Sequence, residues 1–135
     1  MSPGLGDMLP QPPWDGPPIP RGVFRREISP ECDQIAFIVD TVYQEAVELG
    51  YDLLNERLED AGRRMANLSD MMPQVYGLTH LTTKEEREDL ARALARVESY
   101  VREGDTVMAY GAADEFSASF RHVLWNIIVR CESLV

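Results

Sequence analysis

Three pairs of carboxylates, each spaced three residues apart, are the residues best placed to do chemistry in this chain: Glu45 and Glu48, Glu56 and Glu59, and Glu86 and Asp89. On a helix such a pair shares one face, and pairs converging inside a bundle hold Mg²⁺ in helical nucleotide pyrophosphohydrolases. Glu45 and Glu48 flank the apolar stripe of their helix instead of lying on it. The pattern therefore reads first as a solvated acidic face, and the Mg²⁺-dependent hydrolase stands as an alternative. His80 and His122 are the two histidines, and neither has a glutamate three residues before it. The Glu-x-x-His pattern of carboxylate-bridged di-iron bundles is thus missing, and two histidines with two distant cysteines make a poor zinc set. Ser117 and Ser119 lie near His122, but no sharp turn exposes either as a nucleophile. No catalytic residue, metal or cofactor is assigned, and the reading leans away from an enzyme.

Binding is better supported than catalysis. Tyr43, Phe116, Phe120 and Trp125 are the candidate lining of an apolar pocket, which gives a small-ligand-binding helical sensor as another alternative. Trp14, Ile19, Val23 and Phe24 are the candidate partner-binding residues, because a purely solvated segment seldom carries four such side chains. They fall in residues 1–28, which hold seven of the nine prolines within residues 1–20. The run from Leu9 to Pro20 favours extended or polyproline II backbone, so 1–28 reads as an extended proline-rich arm and 29–135 as the folded domain.

The elements that position these residues are helices. Ser29 suits an N-cap, Pro30 the first helical position, and Glu31 and Asp33 the positive end of the helix dipole. Ile35, Val39, Val42, Ala46, Leu49 and Leu53 form one stripe; Leu54, Leu58, Ala61, Met65, Leu68 and Met72 form a second, shifted in phase. The expectation is one long helix to Met72 with a kink, the alternative being a break near Gly50 or Gly62. Phe37, Ile38, Tyr43, Val47 and Tyr51 lie off the main stripe, so this helix packs on two sides or self-associates. Pro73 to Leu81 reads as a connection held down by Tyr76, Leu78 and Leu81. A capping box, Thr82 with Glu85 or Thr83 with Glu86, opens a helix whose face is Leu90, Leu94, Val97 and Val101. Gly104 and Asp105 mark a tight turn into a last helix of about Thr106–Ser133, striped by Phe116, Phe120, Val123, Ile127 and Leu134. The fold class is all-α: a bundle of three to four long helices with a proline-rich N-terminal arm. Residues 85–124, with Gly104-Asp105, Asp114 to Phe120 and His122, resemble part of the all-helical effector domain attached to some bacterial winged-helix repressors. That resemblance implies helices here, and the family's metal-binding histidines have no counterparts in this chain.

Charge narrows the partners. The net charge is −10 over 135 residues, and residues 1–28 are balanced by Arg21, Arg25 and Arg26 against Asp7, Asp15 and Glu27. All of it sits on the helical body, which disfavours nucleic acid and favours a protein partner, a basic one above all. Arginine supplies twelve of thirteen basic residues, which suggests a GC-rich, bacterial or phage coding sequence. Cys32 and Cys131 read as two small buried hydrophobes, since a disulfide needs an oxidising compartment. With no basic-then-apolar leader and no run of about 18 apolar residues, the expected location is cytoplasmic and off the membrane. The function expected is therefore that of a non-enzymatic interaction subunit or regulator within a larger assembly.

Overall fold

The computed structural model describes residues 29–134. Of these, 87% are helical and none is in a strand, so the all-α bundle is established. The helices are α1 (Pro30–Leu54), α2 (Leu58–Met71), the single turn α3 (Pro73–Tyr76), α4 (Lys84–Glu103) and α5 (Thr106–Leu134). Trp14, Ile19, Val23 and Phe24 lie outside the described residues.

Local chemistry explains the starts. Ser29 accepts a hydrogen bond from the Cys32 amide at 3.1 Å and caps α1. Thr83, not Thr82, forms the capping box of α4: its hydroxyl accepts from the Glu86 amide at 3.0 Å, and its own amide donates to Glu86 Oε1 at 2.8 Å. Asp105 Oδ1 accepts from the Met108 amide at 3.1 Å and opens α5.

The expected single helix from 30 to 72 is corrected: it is two helices, and the break falls at residues 55–57 instead of at a glycine. The Arg57 amide donates to the Asp52 carbonyl at 2.8 Å and the Glu56 amide to that of Leu53 at 3.1 Å. These two bonds make a Schellman motif, with Glu56 in the left-handed position at φ 55°. Gly104 ends α4 the same way, at φ 75°, with Asp105 donating to Tyr100 and Gly104 to Val101. Gly50, Gly62 and Gly111 lie inside helices.

The core is one cluster drawn from every element. Helix α5 lies centrally, packed on α1 and α4, while α2 closes the remaining side against α1 and more lightly against α4. Phe116, Phe120, Leu124 and Ile127 of α5 are fully buried, against Val39, Val42 and Leu49 of α1 and Leu90 and Val97 of α4. Two members of the sequence stripes fall outside this core: Leu54, at the last turn of α1, and Leu134, near the chain end, are 57% and 69% exposed. Val75 of α3 is wholly buried, Leu81 is buried, and Tyr76 and Leu78 are partly buried against the core.

The cysteine reading is also corrected. Cys32 and Cys131 are buried, but they are bonded to each other, with Cα atoms 5.8 Å apart. The antiparallel pairing of α1 and α5 brings the start of one beside the end of the other. Among the described residues, no helix is long and apolar enough to cross a membrane.

Candidate functional site

Of the carboxylates considered for metal, Glu45 and Glu86 are both engaged by arginine, and Glu45 shares its arginine with a further carboxylate, Asp52. Asp52 is 3% exposed, and its two oxygens divide between Arg57 Nη2 at 3.0 Å and Arg64 Nε at 2.8 Å. Arg64 also reaches Glu45 at 3.2 Å, joining α1 to α2. Burial pushes the Asp52 carboxyl up, but the hydrogen bonds and charges of Arg64 and Arg57 outweigh it and hold it below the ordinary carboxylate range. Glu86 is the counterpart at the α4–α5 contact. Its Oε1 accepts from Arg130 Nη1 at 2.6 Å and its Oε2 from Asn126 Nδ2 at 2.9 Å, while Arg130 also donates to the Leu81 carbonyl at 2.9 Å. Desolvation raises the Glu86 carboxyl; Arg130, the Thr83 amide and Asn126 bring it net below its ordinary value. These two clusters lock elements together. Among the described residues no group of three or more His, Cys, Asp or Glu side chains is placed to hold a metal ion. His80 lies exposed in the turn before α4, and His122 is exposed on α5.

The pocket candidates separate. Tyr43, Phe116 and Phe120 come together, but as packing: Phe120 lies 5.8 Å from the Tyr43 ring and 5.7 Å from the Phe116 ring, centroid to centroid. Both phenylalanines are wholly buried and fill the space between α1 and α5. Trp125 is half-buried against the same core, one turn beyond Arg121.

A groove does exist on the outer side of the α1–α5 pair. Tyr43, Val47, Gly50 and Tyr51 of α1 and Tyr110, Ala113, Asp114, Ser117 and Arg121 of α5 enclose a cleft of about 260 Å³. Tyr110 also borders a second hollow of about 220 Å³, between Leu53, Leu54 and Glu56 on one side and Thr106 and Val107 on the other. The two share Tyr110 as a wall. At the inner part of the cleft the Tyr43 hydroxyl is pushed up by burial and drawn back by the charge and hydrogen bond of the buried Arg121. Farther along, apolar side chains predominate beside Glu56 and Thr106: Tyr51, Leu54, Val107 and Tyr110 are all exposed, Val107 at 79%. Exposed apolar side chains grouped in this way are a common mark of an interaction surface.

Sequence reasoning found Tyr43, Val47 and Tyr51 as off-stripe residues of α1 but missed Val107 and Tyr110. The available signal was apolar side chains in the first turn of a helix whose core stripe begins only at Ala109. Comparison with protein-family models, with curated proteins and with solved structures finds no match.

Proposed function

We propose that this chain is a non-enzymatic interaction subunit that binds a protein partner through the apolar end of the α1–α5 groove. The single observation that carries the reading is the exposed set Tyr51, Leu54, Val107 and Tyr110, brought from two helices to the lining of adjoining hollows. Apolar side chains at that density favour burial against a partner, at roughly 25 cal/mol for each Å² removed from water. The acidic body, with all of the net −10, supports a partner bearing basic residues around that apolar centre. The engagement of Glu45, Asp52 and Glu86 with arginines supports this reading over the Mg²⁺-dependent hydrolase, whose carboxylates must face an ion.

The Cys32–Cys131 bond bears on where the chain works. It favours an oxidising compartment over the cytoplasmic location expected from the sequence.

Native mass spectrometry of the full-length protein, gently purified from its own source, tests both points. A co-purifying protein is expected, and it is expected to be lost from the Leu54→Glu, Val107→Glu double variant. A bare chain from both preparations, or a partner retained by the variant, overturns the reading. The mass of the chain reports the bond independently, through the loss of two hydrogens.

A further inference from the structure

The side chains that line the α1–α5 cleft follow one another in a definite order. On α5, Tyr110, Asp114, Ser117 and Arg121 are spaced three or four apart and share one side of the helix. On α1, Tyr43, Val47 and Tyr51 face them in reverse, because the two helices run antiparallel. Tyr43 and Arg121 therefore lie at one end, hydrogen-bonded to each other, and Tyr51 and Tyr110 at the other. The first pair is buried and the second exposed, so the cationic end is the closed one.

Between these ends lie Asp114 and Ser117. Among the described residues neither side chain makes a hydrogen bond or an ion pair, whereas Glu45, Asp52 and Glu86 are all held by arginine. Arginine carries no acceptor, so the Tyr43 oxygen accepts in its bond with Arg121 and its own proton is left to donate. Gly50 supplies the room. It lies inside α1, where glycine weakens a helix, yet a Cβ built on it meets no atom within 4 Å, so no close packing calls for it. Its missing side chain leaves space beside Val47 and Tyr51. The cleft of about 260 Å³ equals roughly nine waters at about 30 Å³ each, the size of one amino acid and not of a nucleotide or a peptide.

We propose that this cleft binds a free α-amino acid with an aromatic side chain. The ligand's carboxylate accepts from the Ser117 and Tyr43 hydroxyls in the positive field of Arg121, and its ammonium pairs with Asp114. Its ring lies against Val47 and the tyrosines at the open end. Residues one turn apart on a helix have Cβ atoms about 5–6 Å apart, so Asp114 and Ser117 together reach two charged groups carried on one α-carbon. A lone cation is repelled by Arg121 and a lone anion by Asp114, which favours a zwitterion over either. The site lies inward of the surface proposed for the partner and does not rest on that reading.

Isothermal titration calorimetry of the full-length, disulfide-bonded chain with L-phenylalanine tests the proposal. Saturable binding of one ligand per chain is expected, with a Kd of about 0.1–1 mM. Phenethylamine, which lacks the carboxylate, and 3-phenylpropionate, which lacks the ammonium, are expected to bind about tenfold more weakly or worse. Asp114→Asn, at an exposed position, is expected to weaken L-phenylalanine about tenfold, and Gly50→Leu, which fills the cleft, to abolish its binding. Circular dichroism is expected to show both variants as helical as the parent; if Gly50→Leu is not, Asp114→Asn decides alone. Three outcomes overturn the proposal: no saturable binding up to about 10 mM, binding that either single-charge analogue matches, or binding that Asp114→Asn leaves unchanged. None of these bears on the apolar surface, so the partner reading stands or falls separately.

Discussion

At Asp52 a buried carboxylate faces two arginines, and the elbow between α1 and α2 depends on that balance. Asp52→Asn keeps the shape but removes the charge, so Arg64 stays partly buried beside a neutral amide, with Glu45 as its remaining ion-pair partner and Glu48 nearby. The expected cost is about 2–3 kcal/mol, less than for a fully buried pair because Arg57 is half-exposed. Urea unfolding of the variant measures it; a midpoint equal to that of the parent refutes the assignment.

The same residue sets the acid limit. Asp52 and Glu86 have lowered pKa values in the fold, so the unfolded chain takes up protons before the folded one does. Their contribution is complete above about pH 5 and is lost as pH falls through and below the ordinary carboxylate values near 4. Stability is therefore expected to fall between about pH 5 and pH 3, and less steeply in Asp52→Asn. Parallel profiles for the two proteins would show that the Asp52 carboxyl is not held low. None of these partnerships was legible in the sequence. Asp52 and Arg64 stand twelve positions apart and meet only after the chain reverses, so no local spacing links them.

At the scale of elements, two helix ends use one motif with different residues. Gly104 adopts φ 75° without steric cost, whereas Glu56 holds φ 55° against its own Cβ, a strain of roughly 1 kcal/mol. Glu56→Gly is expected to raise the melting temperature by a few degrees, and Gly104→Ala to lower it by a similar amount. Thermal unfolding followed by circular dichroism checks both signs, and two shifts of the same sign would contradict the motif. These ends also show what local reading can do. The caps at Ser29, Thr83 and Asp105 were visible because a cap is made within three or four residues. The phase slip between the stripe ending at Leu53 and the one opening at Leu54 is visible too, but it points to a kink or to Gly50 or Gly62. A glutamate in the left-handed position leaves no compositional mark; only the packing of α2 back onto α1 forces it there.

Over the whole molecule, the Cys32–Cys131 bond closes a loop of 99 residues around nearly the entire described fold. A cross-link over that span stabilises by roughly 4–5 kcal/mol, chiefly by restricting the unfolded chain. Replacing both residues, Cys32→Ala with Cys131→Ala, is expected to lower the unfolding free energy by about 4 kcal/mol. The denaturant dependence should also steepen, as the freed chain exposes more surface. An unchanged slope and midpoint in urea would mean that the bond does not form in the folded protein.

By itself, the sequence determined the helical class, the polar caps, the apolar faces of α1, α4 and α5, and the concentration of prolines before residue 21 and of the net charge after residue 28. Each of these is written in spacings of a few residues, where backbone geometry and side-chain chemistry act directly on each other. Only the tertiary structure decided the elbow at Glu56, the arginine partners of Asp52 and Glu86, the disulfide, and the groove between α1 and α5. Each of those joins residues distant along the chain or makes a local turn take a shape its residue type does not favour. Such choices follow from how whole helices pack, because burying the apolar faces together stabilises the fold by more than any single contact costs.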